Sequence, residues 1–324
     1  SGTLLLNNST VVVSDTDSAL SIGNTGTVTC GDTNLTVNAL SLGQGPFTAP
    51  SASGSFIITG EKSNFAFDYD GNQFIHNSGT IEIRTAAETR VDFAPNNGST
   101  DINNVIINHA SCVAQMYADM SIAGNLTITA GQLTTGVDGY GFSDLTVAGA
   151  TIVGDGSSGA NTATLTCNAS TVSLGASVTS GWGLEVKQGG TFVGGSGAHT
   201  IGSLLNADHA HSIITLTSHA SGTTLSSENA GVGSNGYALI LYDDGVFDDA
   251  DGLVVFTGPS SDSYVSGHNL HNVTINSSGN SIALQNGQTF AGNLTITAGT
   301  LTTRPAGTTE NNALTVTGEV NVAG

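Results

Sequence analysis

Positive charge is almost missing from this chain. Lys62, Arg84, Arg90, Lys187 and Arg304 are its only Lys and Arg residues, against 25 Asp and Glu, for a formal net charge of −20. A phosphate backbone is held by clustered basic side chains, so five scattered cations exclude nucleic-acid binding. Attraction to anionic lipid fails for the same reason. Charge of either sign is scarce, at 9% of residues where soluble domains average about 25%. Cysteine is rare too. Cys30, Cys112 and Cys167 lie far apart, form no CxxC motif and are odd in number, which leaves neither a disulfide framework nor a zinc site. They read as small buried hydrophobes. No apolar run is long enough to span a membrane as a helix. The opening Ser1-Gly2-Thr3-Leu4-Leu5-Leu6 lacks the charged region of a signal peptide, which a mature or excised chain would also lack.

Helical periodicity is likewise absent, and 44 glycines are too many for stable helix interiors. What fills the chain is short β-branched runs. Thr10-Val11-Val12-Val13, Phe56-Ile57-Ile58-Thr59, Thr80-Ile81-Glu82-Ile83 and Ser212-Ile213-Ile214-Thr215-Leu216 are examples, punctuated by Gly, Asn, Asp and Ser as turns require. In Leu126-Thr127-Ile128-Thr129 the apolar and hydroxyl side chains fall on opposite faces of a strand.

The strongest signal is a duplication. Asn104–Thr135 aligns with Asn272–Thr303 at a fixed offset of 168 residues without a gap, and Ala123–Gly131 and Ala291–Gly299 share the identical block AGNLTITAG. Upstream, Tyr69-Asp70-Gly71 corresponds to Tyr242-Asp243-Asp244-Gly245; downstream, Asp144-Leu145-Thr146-Val147 corresponds to Ala313-Leu314-Thr315-Val316. No linker separates the copies. The expectation is one continuous array over 1–324, with approximate copies 1–150 and 151–324 and duplicated cores 104–135 and 272–303. The expected fold class is all-β: a repeat-built parallel β-helix, or solenoid, with tandem β-sandwich units as the alternative. Three short strands per turn make a coil of about 20 to 25 residues, and at about 4.8 Å per coil the array spans on the order of 65 to 80 Å. Leu126, Ile128, Leu294 and Ile296 should face the interior. Both ends fall in mid-array, so an expectation of assembly follows: more of a longer polypeptide, stacked copies or partners around a trimer axis would cover them.

The phrases NNVIINHAS, HNVTINSSG, AGNLTITAGTLTT and ALTVTGEVNVAG resemble repeats in large structural proteins of marine tailed phages. Similar Asn-Leu-Thr-Ile repeats occur in bacterial surface adhesins. The resemblance implies a fibre, spike, decoration or adhesive role in a virion or at a cell surface. The partners it implies are copies of the chain, other virion or surface proteins, or host-surface glycans. It carries no catalytic motif.

Candidate chemistry is thin. The acidic stretch Asp243-Asp244-Gly245-Val246-Phe247-Asp248-Asp249-Ala250-Asp251-Gly252 could bind Ca²⁺ through Asp243, Asp244, Asp248, Asp249 and Asp251, or pair carboxylates for glycoside hydrolysis. EF-hand spacing is not met. A structural Asp-Gly turn explains it best, calcium comes second and catalysis last. His209 and His211 would point the same way on a strand, and His268 and His271 form a second pair, but the offset places Thr100 and Asn103 opposite the latter. Sequons at Asn34, Asn125 and Asn293 sit in expected strands. No Gly-x-Ser-x-Gly elbow and no phosphate loop is present. The expectation is a non-enzymatic structural protein of a phage particle, with a cell-surface adhesin as alternative. A β-helical polysaccharide-degrading tailspike is the competing class, poorly supplied by one Trp and 6 Tyr.

Overall fold

Strands of this composition can satisfy their backbone only by pairing, and here the described strands pair with strands one coil away, one antiparallel hairpin excepted. The structure is a computed structural model. It describes residues 2–16, 18–69, 74–93, 102–137, 139–157, 163–178, 181–206, 211–226, 236–241, 245–258, 263–266, 269–304, 309 and 311–323. Among them there is no helix. The chain is all-β and built of parallel-paired coils, the parallel β-helix class expected from its repeats; a sandwich would pair its neighbours antiparallel. By contacts it divides into two compact units, Ser1–Val147 with Thr162–Leu165 and Ala148–Asn161 with Thr166–Gly324.

In the first unit three parallel ladders run in step. On one, Val11 pairs with Leu35, Leu35 with Phe56, Phe56 with Ile81, Ile81 with Val105 and Val105 with Leu126. On a second, Leu20 pairs with Leu40, Leu40 with Phe67 and Val91 with Phe67 and Met116. On the third, Leu4 pairs with Val28, and Phe47 with both Val28 and Phe74. Alternation along each strand then fixes the inside: Leu35, Val37, Phe56, Ile58, Ile83, Ile107, Leu126 and Ile128 are almost wholly buried. Phenylalanines fill the middle, with ring centroids of Phe47 and Phe74 5.8 Å apart and those of Phe67 and Phe93 4.7 Å apart.

The second unit repeats the scheme. Val172 pairs with His199, His199 with Thr223, Thr223 with Val254, Val254 with Val273 and Val273 with Leu294. Register partners can lie further apart in sequence here, as Leu204 and Leu239 do.

The duplicated core is reproduced bond by bond. Asn104–Met116 lies on Leu126–Thr134 as Asn272–Leu284 lies on Leu294–Thr302, with the register slipping at the same point, after Ile107 and after Ile275. Gly131 and Gly299 turn there with φ of +88° and +86°, and a Cβ on either would run into backbone carbonyl oxygens of the neighbouring coil. Asn104 Oδ1 accepts the Asn125 N–H at 2.8 Å and Asn272 Oδ1 accepts that of Asn293 at 3.0 Å. Thr129 and Thr297 hydroxyls donate to the Ile107 and Ile275 carbonyls at 3.2 and 3.1 Å. Turn side chains thus bond between coils. Asn38, 7% exposed, goes furthest: its Nδ2 donates to the carbonyls of Thr16, Ser18 and Glu61, on the coils before and after its own.

Leu126, Ile128 and Leu294 face inward as expected, whereas Ile296 is only half-buried. The strand stacked on it, Val320–Val322, is itself exposed and covers it thinly. Replacing Ile128 by Asp should therefore destabilise the fold by at least about 3 kcal/mol, by placing an unpaired charge in an apolar column. Ile296→Asp should cost markedly less, and urea denaturation of the two variants reads the difference. Asn38→Ala should lower stability by about 1–3 kcal/mol, because it removes a buried amide that bridges carbonyls of the two adjoining coils. A melting temperature equal to that of the parent would contradict the inter-coil bridge.

Candidate functional site

The described end of the acidic stretch, residues 248–252, is a turn held by the carboxylates of Asp248 and Asp249. Asp243 and Asp244 lie outside the described residues, as do His209 and His268. Asp248 ends the strand Val246–Asp248, and its Oδ1 accepts the Ala250 N–H at 2.8 Å. Asp249 Oδ1 accepts the Asp251 N–H at 3.2 Å, and Asp249 Oδ2 accepts the backbone N–H of His271 on the next coil. Ala250 and Asp251 occupy the left-handed region with φ of +55° and +53°, the conformation such side-chain-to-backbone turns provide. Burial raises the Asp249 carboxyl above its ordinary range, against the hydrogen bonds from His271 and Asp251. Asp251 instead points outward, its Oδ1 3.4 Å from His271 Nδ1. Asp248 and Asp249 thus aim carboxylate oxygens at backbone N–H groups, and Asp251 aims at the His271 side chain. Among the described residues no group of three or more His, Cys, Asp or Glu is placed to hold a metal ion.

The three cysteines are buried and form no disulfide, and desolvation pushes Cys30 up to about 11, Cys112 up to about 12 and Cys167 higher still. Thiols so protonated are poor nucleophiles.

The second unit carries a titratable group inside its core. His199 is 2% exposed, in register between Val172 and Thr223, with its ring 5.9 Å from that of Phe192. Among the described residues neither ring nitrogen meets a partner at hydrogen-bonding geometry, and the Thr223 hydroxyl is equally bare. Burial drives the imidazole down to about 4; the nearby Gly194 backbone opposes this weakly, and the charge of His219 adds to it.

A different constellation lies on the outside of the first unit, and no motif announced it. Phe65, Arg90, Tyr117 and Tyr140 come from four consecutive coils. Phe65 and Arg90 are register partners, and Tyr117 follows the strand Asn104–Met116 that pairs with Glu88–Val91. Tyr140 sits in the turn of an antiparallel hairpin, Gly136–Val137 with Gly141–Phe142, which leaves the parallel scheme. The Arg90 guanidinium carbon is 4.8 Å from the Tyr140 ring centre and 5.7 Å from those of Phe65 and Tyr117. The rings touch one another, Phe65 to Tyr117 at 5.2 Å and Tyr117 to Tyr140 at 5.5 Å. Tyr140 and Phe142 are 63% and 61% exposed. Beside them is a cavity of about 200 Å³ lined by Asn64, Glu88, Thr89, Arg90 and Gln115. The only hint in the sequence is spacing: Phe65, Arg90, Tyr117 and Tyr140 follow one another at intervals of 25, 27 and 23 residues, near the length of one coil.

The buried histidine sets a pH dependence with a definite sign. The folded state keeps His199 neutral down to about pH 4, while the unfolded chain protonates it near 6.5. Stability is therefore lost as pH falls from 6.5 toward 4, by about 3 kcal/mol from this group. In His199→Leu the difference in denaturation free energy between pH 7 and pH 4.5 should shrink by most of that amount. An unchanged difference would mean that the ring is solvated or bonded.

No protein-family model, no curated protein and no solved structure matches the chain significantly, so a functional reading rests on the coil architecture and on these side chains.

Proposed function

We propose that this chain is a non-enzymatic structural repeat protein of a phage particle, a fibre, spike or decoration element that works by assembly and surface attachment. What carries the reading is the duplicated core: the same two-strand module, with the same register slip and the same Asn and Thr bonds, is built twice at one offset. Repetition of this kind lengthens a scaffold without elaborating a site, since each coil contacts only its neighbours and stability accrues coil by coil. The side chains agree with such a role. Asp248 and Asp249 cap a turn, and the thiols are sequestered from redox chemistry. The strong negative charge keeps a protein with so few charged residues soluble.

Antibody raised against the chain should decorate purified phage particles in electron micrographs, and the chain should appear in their mass spectra at many copies per particle. Recovery solely from the outer surface of bacterial cells would make it an adhesin instead. Release of reducing ends from a polysaccharide by the purified chain would overturn the non-enzymatic assignment.

A further inference from the structure

Three outward-facing Glu-x-cation sequences occur in the chain, at Glu82-Ile83-Arg84, Glu88-Thr89-Arg90 and Glu185-Val186-Lys187. Residues two apart on a strand share a face, so each invites an ion pair. Two make it. Arg84 grips Glu82 with both prongs, Nε to Oε1 at 2.7 Å and Nη2 to Oε2 at 2.8 Å, and Lys187 Nζ is 3.7 Å from Glu185 Oε2. The third does not. Glu88 Oε1 is taken by Gln115 Nε2 at 2.9 Å, and Arg90 turns away onto the rings of Phe65, Tyr117 and Tyr140. Among the described residues no carboxylate lies within ion-pair distance of Arg90, in a chain with five times as many acids as bases.

Repeat geometry does not require this arrangement. The strand Ser263–Ser266 stacks on the second duplicated core as Glu88–Val91 stacks on the first. Gln115 is the register partner of Arg90, and its counterpart Ala283 is the partner of Tyr264, so Tyr264 stands where Arg90 does. At the same offset Gln285 replaces Tyr117. The module folds at the second place without the arginine and without that tyrosine. The hairpin that brings Tyr140 is an addition to the coil, with its aromatic tip largely in solvent.

We infer that the Arg90 surface, with the cavity between Asn64, Glu88 and Gln115, binds a carboxylated saccharide. The chemistry matches group by group. A sugar ring has an apolar C–H face, which the exposed tyrosines can stack against, and hydroxyls that need both donors and acceptors, which Asn64, Gln115 and Glu88 offer. Its carboxylate is the anion that a guanidinium without a carboxylate partner among the described residues is shaped to take, with two parallel N–H bonds. A cavity of about 200 Å³ is smaller than the roughly 300–1,000 Å³ of a drug-sized pocket, and suits one sugar residue with its neighbours lying outward along Tyr140 and Phe142. A nucleic acid is disfavoured, because a lone guanidinium on a surface of net charge −20 cannot replace the counterions of a polyphosphate. The site is a property of the first unit and stands whether or not the scaffold belongs to a particle.

Titration calorimetry on the full chain tests it, with oligogalacturonate and sialyllactose as acidic probes and methyl-esterified oligogalacturonate and lactose as their neutral counterparts. At least one acidic probe should bind at least tenfold more tightly than its neutral counterpart. Arg90→Gln should weaken that binding at least tenfold, while Arg84→Gln, which removes the same charge from an internally paired site, should leave it unchanged. Tyr140→Ser, at an exposed hairpin tip, should weaken it several-fold with an unaltered melting curve, and decides the matter if Arg90→Gln fails to fold. No preference for either acidic probe, or equal losses in the Arg84 and Arg90 variants, would overturn the assignment.

Discussion

Every other feature of this protein depends on backbone hydrogen bonds that run from one coil to the next, parallel and in register. A strand in a parallel stack cannot choose its inward residues independently. Once Leu35 pairs with Phe56, and Phe56 with Ile81, the side chains above and below Phe56 are set, and so is the face they occupy. The core is therefore a set of columns and not a common pool. A one-residue slip carried through the stack would expose a whole column; the register changes at Ile107/Asn108 and Ile275/Asn276 are each followed by a glycine with positive φ on the neighbouring strand, and others lie at Arg90/Val91 and Tyr237/Leu239. Asn38, Asn104 and Asn272 extend the constraint to the turns, where their side chains bond to the adjoining coil.

The same constraint divides the molecule's chemistry into an inside and an outside. Inside, a polar group has no water and few partners, so His199 is held neutral and the cysteines remain thiols. Outside, nothing in the ladder dictates the side chain, and residues can differ freely between copies. That freedom is where Arg90 and its rings reside. Aligned coils bring residues far apart in sequence to within a strand spacing of each other, so a solenoid can assemble a binding surface by substituting single residues on consecutive coils.

The columns could be read from the sequence because they are periodic. Alternating Leu, Ile and Thr in AGNLTITAG identified Leu126, Ile128 and Leu294 as interior positions, and the duplication implied that both copies use one geometry. Ile296 departs from that rule because burial depends on what lies above it as well as on its own strand. The outer surface was not readable. Arg90 and Tyr140 carry no local motif, and their proximity is created by coil lengths, which single-residue patterns do not specify. The acidic stretch is a case where the preferred sequence reading, a structural turn, matches the described residues: Asp248 and Asp249 spend oxygens on the N–H groups of Ala250, Asp251 and His271, and the bond to His271 on the next coil is the part that sequence does not specify.

In-register stacking can be measured directly with pairs of spin labels on the outward face of the first unit. Cys30, Cys112 and Cys167 are buried and should resist labelling, so cysteines can be introduced without removing them. Thr36 and Ile57 are register partners, and Glu82 is the partner of Ile57 one coil on. Adjacent strands lie about 4.8 Å apart, so labels at 36 and 57 should show strong dipolar broadening, and labels at 36 and 82, near twice that spacing, a weaker one. Equal broadening in the two pairs, or none between 36 and 57, would contradict the parallel coil register on which the fold and its surface both rest.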